Sequence, residues 1–460
     1  MASHVMDFLR KHRVSLLIFF IALFMRLLFA LPHLLTPNFS PAVIAQDGYY
    51  EIAENILHGH GFSRSHEAPY KIDDVRTPLY PFFILAIIYL TGSYKIFLVF
   101  QAIVSSFIPL FGKRIASLLF KNRRITIFTG ILLALEPHSI WLSSMIFSET
   151  LFTFFFLAGC IFFLSFLLDK KTSSIVWSSL LFALAMLVRP TIEFFPFFLV
   201  ALLLWGGRHN LKQALKNSIV MLAIIFGVIF PWLFRNYLIF GKPALSVQAP
   251  LVLYANFVPS IIALEDGISF NDGRNKFWAL LGTETVEDMT ISTADRYQKL
   301  MIGEIPKHPV GIIKSLWVTF YTFFTHDGLR SVIAHHGLFP NEKANQLNKA
   351  KVFQNPMLIF SSPAFIAIAI GRVFWLFASI LAFVGLYLFM KEKKHLSSAI
   401  FAAVTILYFL AVSAVAGLGI DARFRTPVNA FIIIFALFAL KYTFERYAPD
   451  FIRKLQNKYF

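Results

Sequence analysis

Charge is what this 460-residue chain has least of: Asp, Glu, Lys and Arg make up 15% of it, against 57% hydrophobic residues. A soluble domain carries about a quarter of its residues charged, so a soluble globular enzyme is excluded. Cysteine is almost missing as well. Cys160, the single one, sits inside an apolar run, which leaves no disulfide framework and no cysteine-based metal site. Acidic residues are scarcer than basic ones, 25 against 42, for a formal charge of +17. That surplus does not point to nucleic acid, because the Lys and Arg fall mostly in short turns between apolar runs, as cytoplasmic loops of membrane proteins do. A removable signal peptide is also excluded. Arg10, Lys11 and Arg13 precede the first apolar run, but no small-residue cleavage site follows it, so the run is read as an anchor.

What is present are apolar runs long enough to cross a bilayer. Spans are read near Val14 to Leu35, Ile96 to Leu118, Ile125 to Ile146, Thr150 to Leu168, Ile175 to Val188, Ile192 to Trp205, Ser218 to Leu233, Ala364 to Met390, Leu396 to Gly417 and Val428 to Leu440. The basic turns "FGKR" with "KNRR", "DKK", "GGRHNLKQALK" and "KEKK" are placed on the cytoplasmic side with both termini. Parity then forbids Leu79 to Thr91 and Ile96 to Leu118 from both spanning. The former has only ~13 residues against the ~20 a span needs, so it is read as half-inserted or interfacial, as is Val310 to Thr325. The fold expected is an all-α polytopic membrane protein: a bundle of about ten transmembrane helices, with outer-face loops that carry short interfacial helices. Residues 1–460 form one membrane domain, with 36–77 as the first outer loop, 234–362 as a further outer-face region and 363–460 as the last spans and a short tail.

The outer loops are where aqueous chemistry is possible. In the first, Tyr49, Ile52, Ala53, Ile56 and Leu57 recur with helical period while Glu51, Glu54, Asn55 and His58 take the other face, as in an amphipathic surface helix. Asp47 stands at its start, where it is either a helix N-cap or a functional carboxylate. Downstream, "DDVRTPLYPFF" returns the chain to the membrane with Arg76 ahead of a Pro-started apolar segment. A guanidinium there can meet a lipid phosphate or reach to headgroups in general. "IFSETLF", "LVRPTIEFFP", "FPWLFRNYLIFGKPALS" and "DARFRTPVNAF" each put a charged residue at an outer boundary beside Pro or an aromatic.

In order and spacing, "QDGYYEIAENILHGHGF", "RTPLYPFF", "SETLF" and "PWLFRNYLIFGKP" resemble the polyprenyl-phosphate-sugar-dependent glycosyltransferases of the GT-C superfamily. The nearest group is the family of dolichyl-phosphate-mannose protein mannosyltransferases and of the bacterial aminoarabinose transferase to lipid A. The resemblance covers the chain from about residue 14 to 440. It implies a GT-C bundle, an inverting transfer on the non-cytoplasmic face of a membrane, most simply a bacterial inner membrane, and a polyprenyl-phosphate sugar as donor. The acceptor would be a glycan, lipid or protein. It also implies that Asp47 is the catalytic base, that Arg76 contacts the lipid phosphate and that Glu149 is the acidic residue after the second outer turn. Two departures stand out. Many relatives carry a second acidic residue directly after the first, where Gly48 stands here. Many also continue into a large soluble domain, whereas this sequence ends shortly after Leu440, so the acceptor stays unassigned.

The chemistry is coherent without the family. An acceptor hydroxyl must lose a proton, whereas a phosphate monoester leaves unprotonated, so one base and cations for the departing charge suffice. Asp47 offers the base; Arg76, Arg423, Arg425 and Arg235 offer cations for the donor phosphate. Glu149 is read as a second catalytic carboxylate that orients the surroundings of Asp47, binds acceptor hydroxyls or holds a divalent metal, or else as an exposed cap. Tyr50, Tyr80, His138 and Arg189 are candidate substrate contacts. His138 with Asp47 and Glu149 would also suit a metal, although no metal ligand is assigned. Arg189 and Arg235 serve equally well as headgroup anchors, and Arg26, mid-span, as a buried pairing residue. A lipid-linked-sugar flippase should show repeats and midplane charges, which this chain lacks apart from Arg26 and Lys95. An oligosaccharide polymerase or ligase, or a non-catalytic scaffold subunit, are the remaining alternatives.

Overall fold

The computed structural model describes residues 2–281, 289–335, 363–392 and 395–447. Long apolar runs satisfy their backbone groups within one segment by forming helices, and the described residues are helical nearly throughout. Apart from helices they hold only two isolated bridges, Ala45 with Ile146 and Ser63 with Ile72. Helix α1 is Ala2–Leu35, followed by α2 (Tyr49–Leu57), α3 (Leu79–Thr91), α4 (Tyr94–Leu119), α5 (Arg123–Ala134), α6 (Pro137–Ser143), α7 (Glu149–Asp169), α8 (Thr172–Val188), α9 (Phe195–Gly206) and α10 (Leu211–Phe240). A second group comprises α11 (Gln248–Val252), α12 (Val258–Asp266), α13 (Phe270–Leu281) and α14 (Ala294–Glu304). Then come α15 (Pro309–Thr325), α16 (Leu329–His335), α17 (Pro363–Lys391), α18 (Leu396–Ala414) and α19 (Asn429–Tyr447).

Among the described residues seven helices are long and apolar enough to cross a membrane, and up to nine if two bent pairs each count once. The all-α bundle of apolar helices expected from the sequence is the fold found, with some of its apolar runs broken or short. The run from Ile125 to Ile146 is broken: α5 and α6 meet at a 51° bend, because Pro137 has no N–H to continue the helix. Helix α8 and the apolar stretch Pro190–Gly206 are each shorter than the seven. Leu79–Thr91 forms a separate 13-residue helix closed by Gly92.

The region beyond residue 234 is more ordered than a loop. Helix α10 runs on to Phe240, and α11 to α14 build a second apolar core around Tyr254, Val258, Ile262, Phe277, Ile291 and Met301. Val75 of the first outer loop inserts into that core. Residues 336–362, assigned above to the outer-face region, and the tail beyond 447 lie outside the described residues. Within the main bundle, packing is close where side chains are small: a Cβ at Gly385 of α17 would collide with the Phe435 carbonyl of α19.

Candidate active site

Two segments far apart in sequence are joined by one backbone contact. The Ile146 N–H donates to the Ile44 carbonyl at 3.0 Å, in a parallel bridge of Ala45 with Ile146. The strand-like contact sets Asp47 and Glu149, each a few residues further on, at the same mouth. Helix α7 starts at Glu149, α8 ends at Val188 with Arg189 as its C-cap, and the 3₁₀ turns Gly417–Gly419, Ala422–Phe424 and Thr426–Val428 link α18 to α19. These ends deliver the remaining charges. Arg423 Nη1 lies 3.6 Å from Asp47 Oδ2 and 3.8 Å from Glu149 Oε1, while its Nε meets Asp421 Oδ2 at 3.3 Å. Glu149 is also paired with Arg189, whose Nη1 donates to Ser148 Oγ at 3.3 Å.

Burial differs across this cluster and decides what each group can do. Glu149 is 3% exposed, so the exposed-cap reading fails; its carboxylate is held between two guanidinium groups. Asp47 keeps 22% of its side-chain surface open. Nor does Asp47 cap α2: the N-cap is Gly48, in a left-handed conformation with φ 78°, and no side chain caps the helix there. Burial draws the Arg423 guanidinium down, but Glu149, Asp421 and Asp47 outweigh it and hold its pKa above the ordinary value. Burial pushes the Asp421 carboxyl up against the pull of Arg423. A narrow cleft runs from Glu149, Arg189, Thr191, Ser413 and Arg423 into Phe152, Phe409 and Phe424. It is charged at one end and apolar at the other.

On the other side of Asp47, Arg76 lies over the Tyr49 ring, 5.0 Å from its centroid. Its backbone N–H donates to Asp73 Oδ1 at 2.7 Å, and its buried Nε has no hydrogen-bond partner among the described residues. Tyr49 in turn stacks edge-on against Tyr80 and accepts from Ser148 Oγ at 3.2 Å, which ties the Arg76 side to the Glu149 side.

Several residues expected at the site are elsewhere. Arg425 is 1% exposed and fully engaged: Nε donates to Asn429 Oδ1, Nη1 to the Phe323 carbonyl, Nη2 to the His326 carbonyl, and the group lies over Trp375. Arg423 and Arg425 would share a side only in an extended loop, and the 3₁₀ turn at Ala422–Phe424 separates them. His138 is buried in α6 against Gly328. Among the described residues no group of three His, Cys, Asp or Glu is arranged to hold a metal. Arg235 donates to the Asp73 carbonyl at 3.3 Å and to Asn236 Oδ1 at 2.6 Å and packs over Trp232. Tyr80 is fully buried, its hydroxyl donating to Gln101 Oε1, and Tyr50 faces Tyr94 of α4. In α2 itself Asn55, expected on the polar face, is buried because its Nδ2 ties down the Ser63 and Ser65 carbonyls. Sequence reasoning missed Tyr49, Arg64, Asp73 and Asp421 as partners in the site. For Asp421 the signal was there, two residues before Arg423 in "DARFR".

The fold has a counterpart among solved structures. It superposes on the Archaeoglobus fulgidus oligosaccharyltransferase in the apo form with a TM-score of 0.51, at 14% identity, over 96% of this chain and 52% of that one. The same archaeal protein in complex with Zn and sulfate gives a TM-score of 0.49, at 17% identity, over 94% and 49%. The chain thus spans about half the length of that protein. No curated protein sequence matches it. The likeness is one of fold, a bundle of apolar helices of which several are long enough to cross a membrane. Residues 75–234 match the family described as dolichyl-phosphate-mannose-protein mannosyltransferase. The matched segment begins one residue before Arg76, includes Glu149 and Arg189, and stops one residue before Arg235.

Proposed function

We propose that the protein transfers a sugar from a polyprenyl-phosphate-linked donor to a hydroxyl-bearing acceptor on the non-cytoplasmic face, with Asp47 as general base and inversion at the sugar. The single observation that carries this is the placing of a half-open, non-capping carboxylate at a mouth whose other carboxylate, Glu149, is buried between Arg189 and Arg423. Of the two acids, only Asp47 has open surface through which a hydroxyl can approach. It takes the acceptor proton as the acceptor oxygen bonds to the sugar's anomeric carbon; the bond from that carbon to the phosphate oxygen breaks, and the electron pair leaves with the phosphate. Arg76 faces the departing charge. Glu149 and Asp421 fix Arg423, which in turn holds Asp47 in place. The cleft between charged and apolar walls suits a headgroup that must stay attached to a hydrocarbon chain.

The test is Asp47→Asn. Asn keeps the shape and cannot take a proton near pH 7, so transfer should fall roughly 10² to 10⁴-fold. Because no capping bond is at stake, folding and donor binding should hold. The readout is mass spectrometry of glycolipids, surface glycans and glycoproteins from cells that carry the wild type, the variant or neither. A variant that restores the wild-type product at the wild-type rate would remove Asp47 from the chemistry and leave Glu149 as the candidate base.

A further inference from the structure

The second acid that many similar enzymes carry after the first is Gly48 here, and its surroundings say what has replaced it. A Cβ at Gly48 would fall 2.5 Å from Arg64 Cδ and 3.2 Å from its Cγ, so a side chain at this position would have to displace Arg64. The backbone there has φ 78°, where a residue other than Gly is strained. The space beside Asp47 therefore belongs to Arg64. Its Nε is bound by Asp73 Oδ2, and Asp73 Oδ1 accepts from the Val75 and Arg76 amides at 3.2 and 2.7 Å. One buried carboxylate thus holds the Arg64 side chain and the Arg76 backbone. The two arginines flank consecutive residues, Arg64 against Gly48 and Arg76 over Tyr49.

We propose that Arg64 is a second ligand of the donor phosphate, acting with Arg76 as a two-arginine clamp that Asp73 positions. The proposal rests on the donor class given above. Among the described residues, Asp73 engages only the Nε edge of Arg64, and the side chain is 40% exposed, so both terminal amino groups are free to donate. The other guanidinium groups nearby are committed: Arg423 to three carboxylates, Arg189 to Glu149, Arg425 to backbone carbonyls and Asn429, and Arg235 to Asn236 and the Asp73 carbonyl. The phosphate of the donor becomes a monoester with three free oxygens as the sugar departs, and paired guanidinium forks match that geometry better than one. With Gly at position 48 the mouth also loses a negative charge that would repel the donor.

The full-length protein in lipid nanodiscs, titrated with undecaprenyl phosphate or with uncharged undecaprenol and read by native mass spectrometry, separates the possibilities. Wild type should bind the phosphate more tightly than the alcohol. Arg64→Gln and Arg76→Gln should each lose about tenfold or more in phosphate affinity and none for the alcohol; Arg64→Lys, which keeps the charge and loses the fork, should fall between. If Arg76→Gln loses phosphate affinity while Arg64→Gln and Arg64→Lys match wild type, Arg64 is no ligand and the donor class stands. If wild type does not distinguish phosphate from alcohol, the donor class itself falls and takes the clamp with it. An Arg64→Gln protein that loses affinity for both lipids would mark a structural role instead.

Discussion

Asp327 shows what burial does to one carboxyl group outside the site. It is 3% exposed, with Oδ1 bonded to the Leu329 amide at 3.0 Å and Oδ2 without a partner. Burial pushes its pKa from 3.8 up to about 6, against the pull of the Leu329 amide and Arg372. A raised carboxyl pKa in the folded state means that the folded protein binds the proton more tightly than the unfolded chain. Stability from this group is therefore fully present below pH 4 and is lost as pH rises through 6, by about 3 kcal/mol in all. Asp327→Asn should accordingly melt higher than wild type at pH 8, and the gap should shrink steadily toward pH 4. Thermal melts in detergent at stepped pH check this, and a gap that is constant with pH would contradict it. Asp47, by contrast, draws its interest from open surface: the same side-chain type has opposite uses because one is sealed and the other is not.

At the scale of elements, the break between α5 and α6 is the feature on which the second outer turn hangs. Pro137 supplies no N–H, and the His138 amide donates to Glu136 Oε1 at 3.3 Å, so the Ala134 carbonyl has lost its helical partner. Arg26, fully buried in α1, fills the gap: Nη1 donates to the Ala134 carbonyl at 3.2 Å and to the Ala22 carbonyl at 3.1 Å, and Nε to Ser105 Oγ at 2.7 Å. A mid-span arginine here is a clasp for a broken helix. Arg26→Met keeps the volume but leaves those acceptors buried without a donor, at a cost of about 1–3 kcal/mol for each group left unsatisfied. A lowered melting temperature is expected, recovered in part by Arg26→Lys. Unchanged melting in both variants would show that the bend holds without the clasp.

Across the whole molecule, two cores meet at the first outer loop. Asp73 faces the arginines of the mouth, while the next residue, Asp74, accepts from the Ile291 amide at 2.6 Å and its carbonyl from the Val247 amide at 2.9 Å. The segment that carries Arg76 is thus stitched to the helical group α11–α14 as well as to the bundle. Mouth and helical group should lie together on the non-cytoplasmic side. In a Cys160→Ser background, Glu67→Cys and Ser269→Cys should react with an impermeant thiol reagent added from outside, and Lys212→Cys only after the membrane is opened. All three positions are exposed in the structure. Reversed labelling would invert the topology and place the mouth in the cytoplasm.

Length and hydropathy settled the class and the main helices, since a 20-residue apolar run has few ways to hide its backbone. Short motifs marked Asp47, Arg76 and Glu149, because their charges stand out beside apolar segments. What hydropathy could not convey was the bend at Pro137 and the ordered helical group α11–α14, which depend on a break inside an apolar run and on packing between segments. The division of labour among the arginines was equally hidden. Arg423 and Arg425, two apart in one string, part company through a single 3₁₀ turn, one to the mouth and one to the interior. Arg64 gave no sign in the sequence, and Gly48 only half of one: a missing acid was visible, but not the side chain that fills its place. Local composition fixes which residues are apolar and which are charged; which charges meet is decided by contacts such as that of Ala45 with Ile146, made between residues about a hundred positions apart.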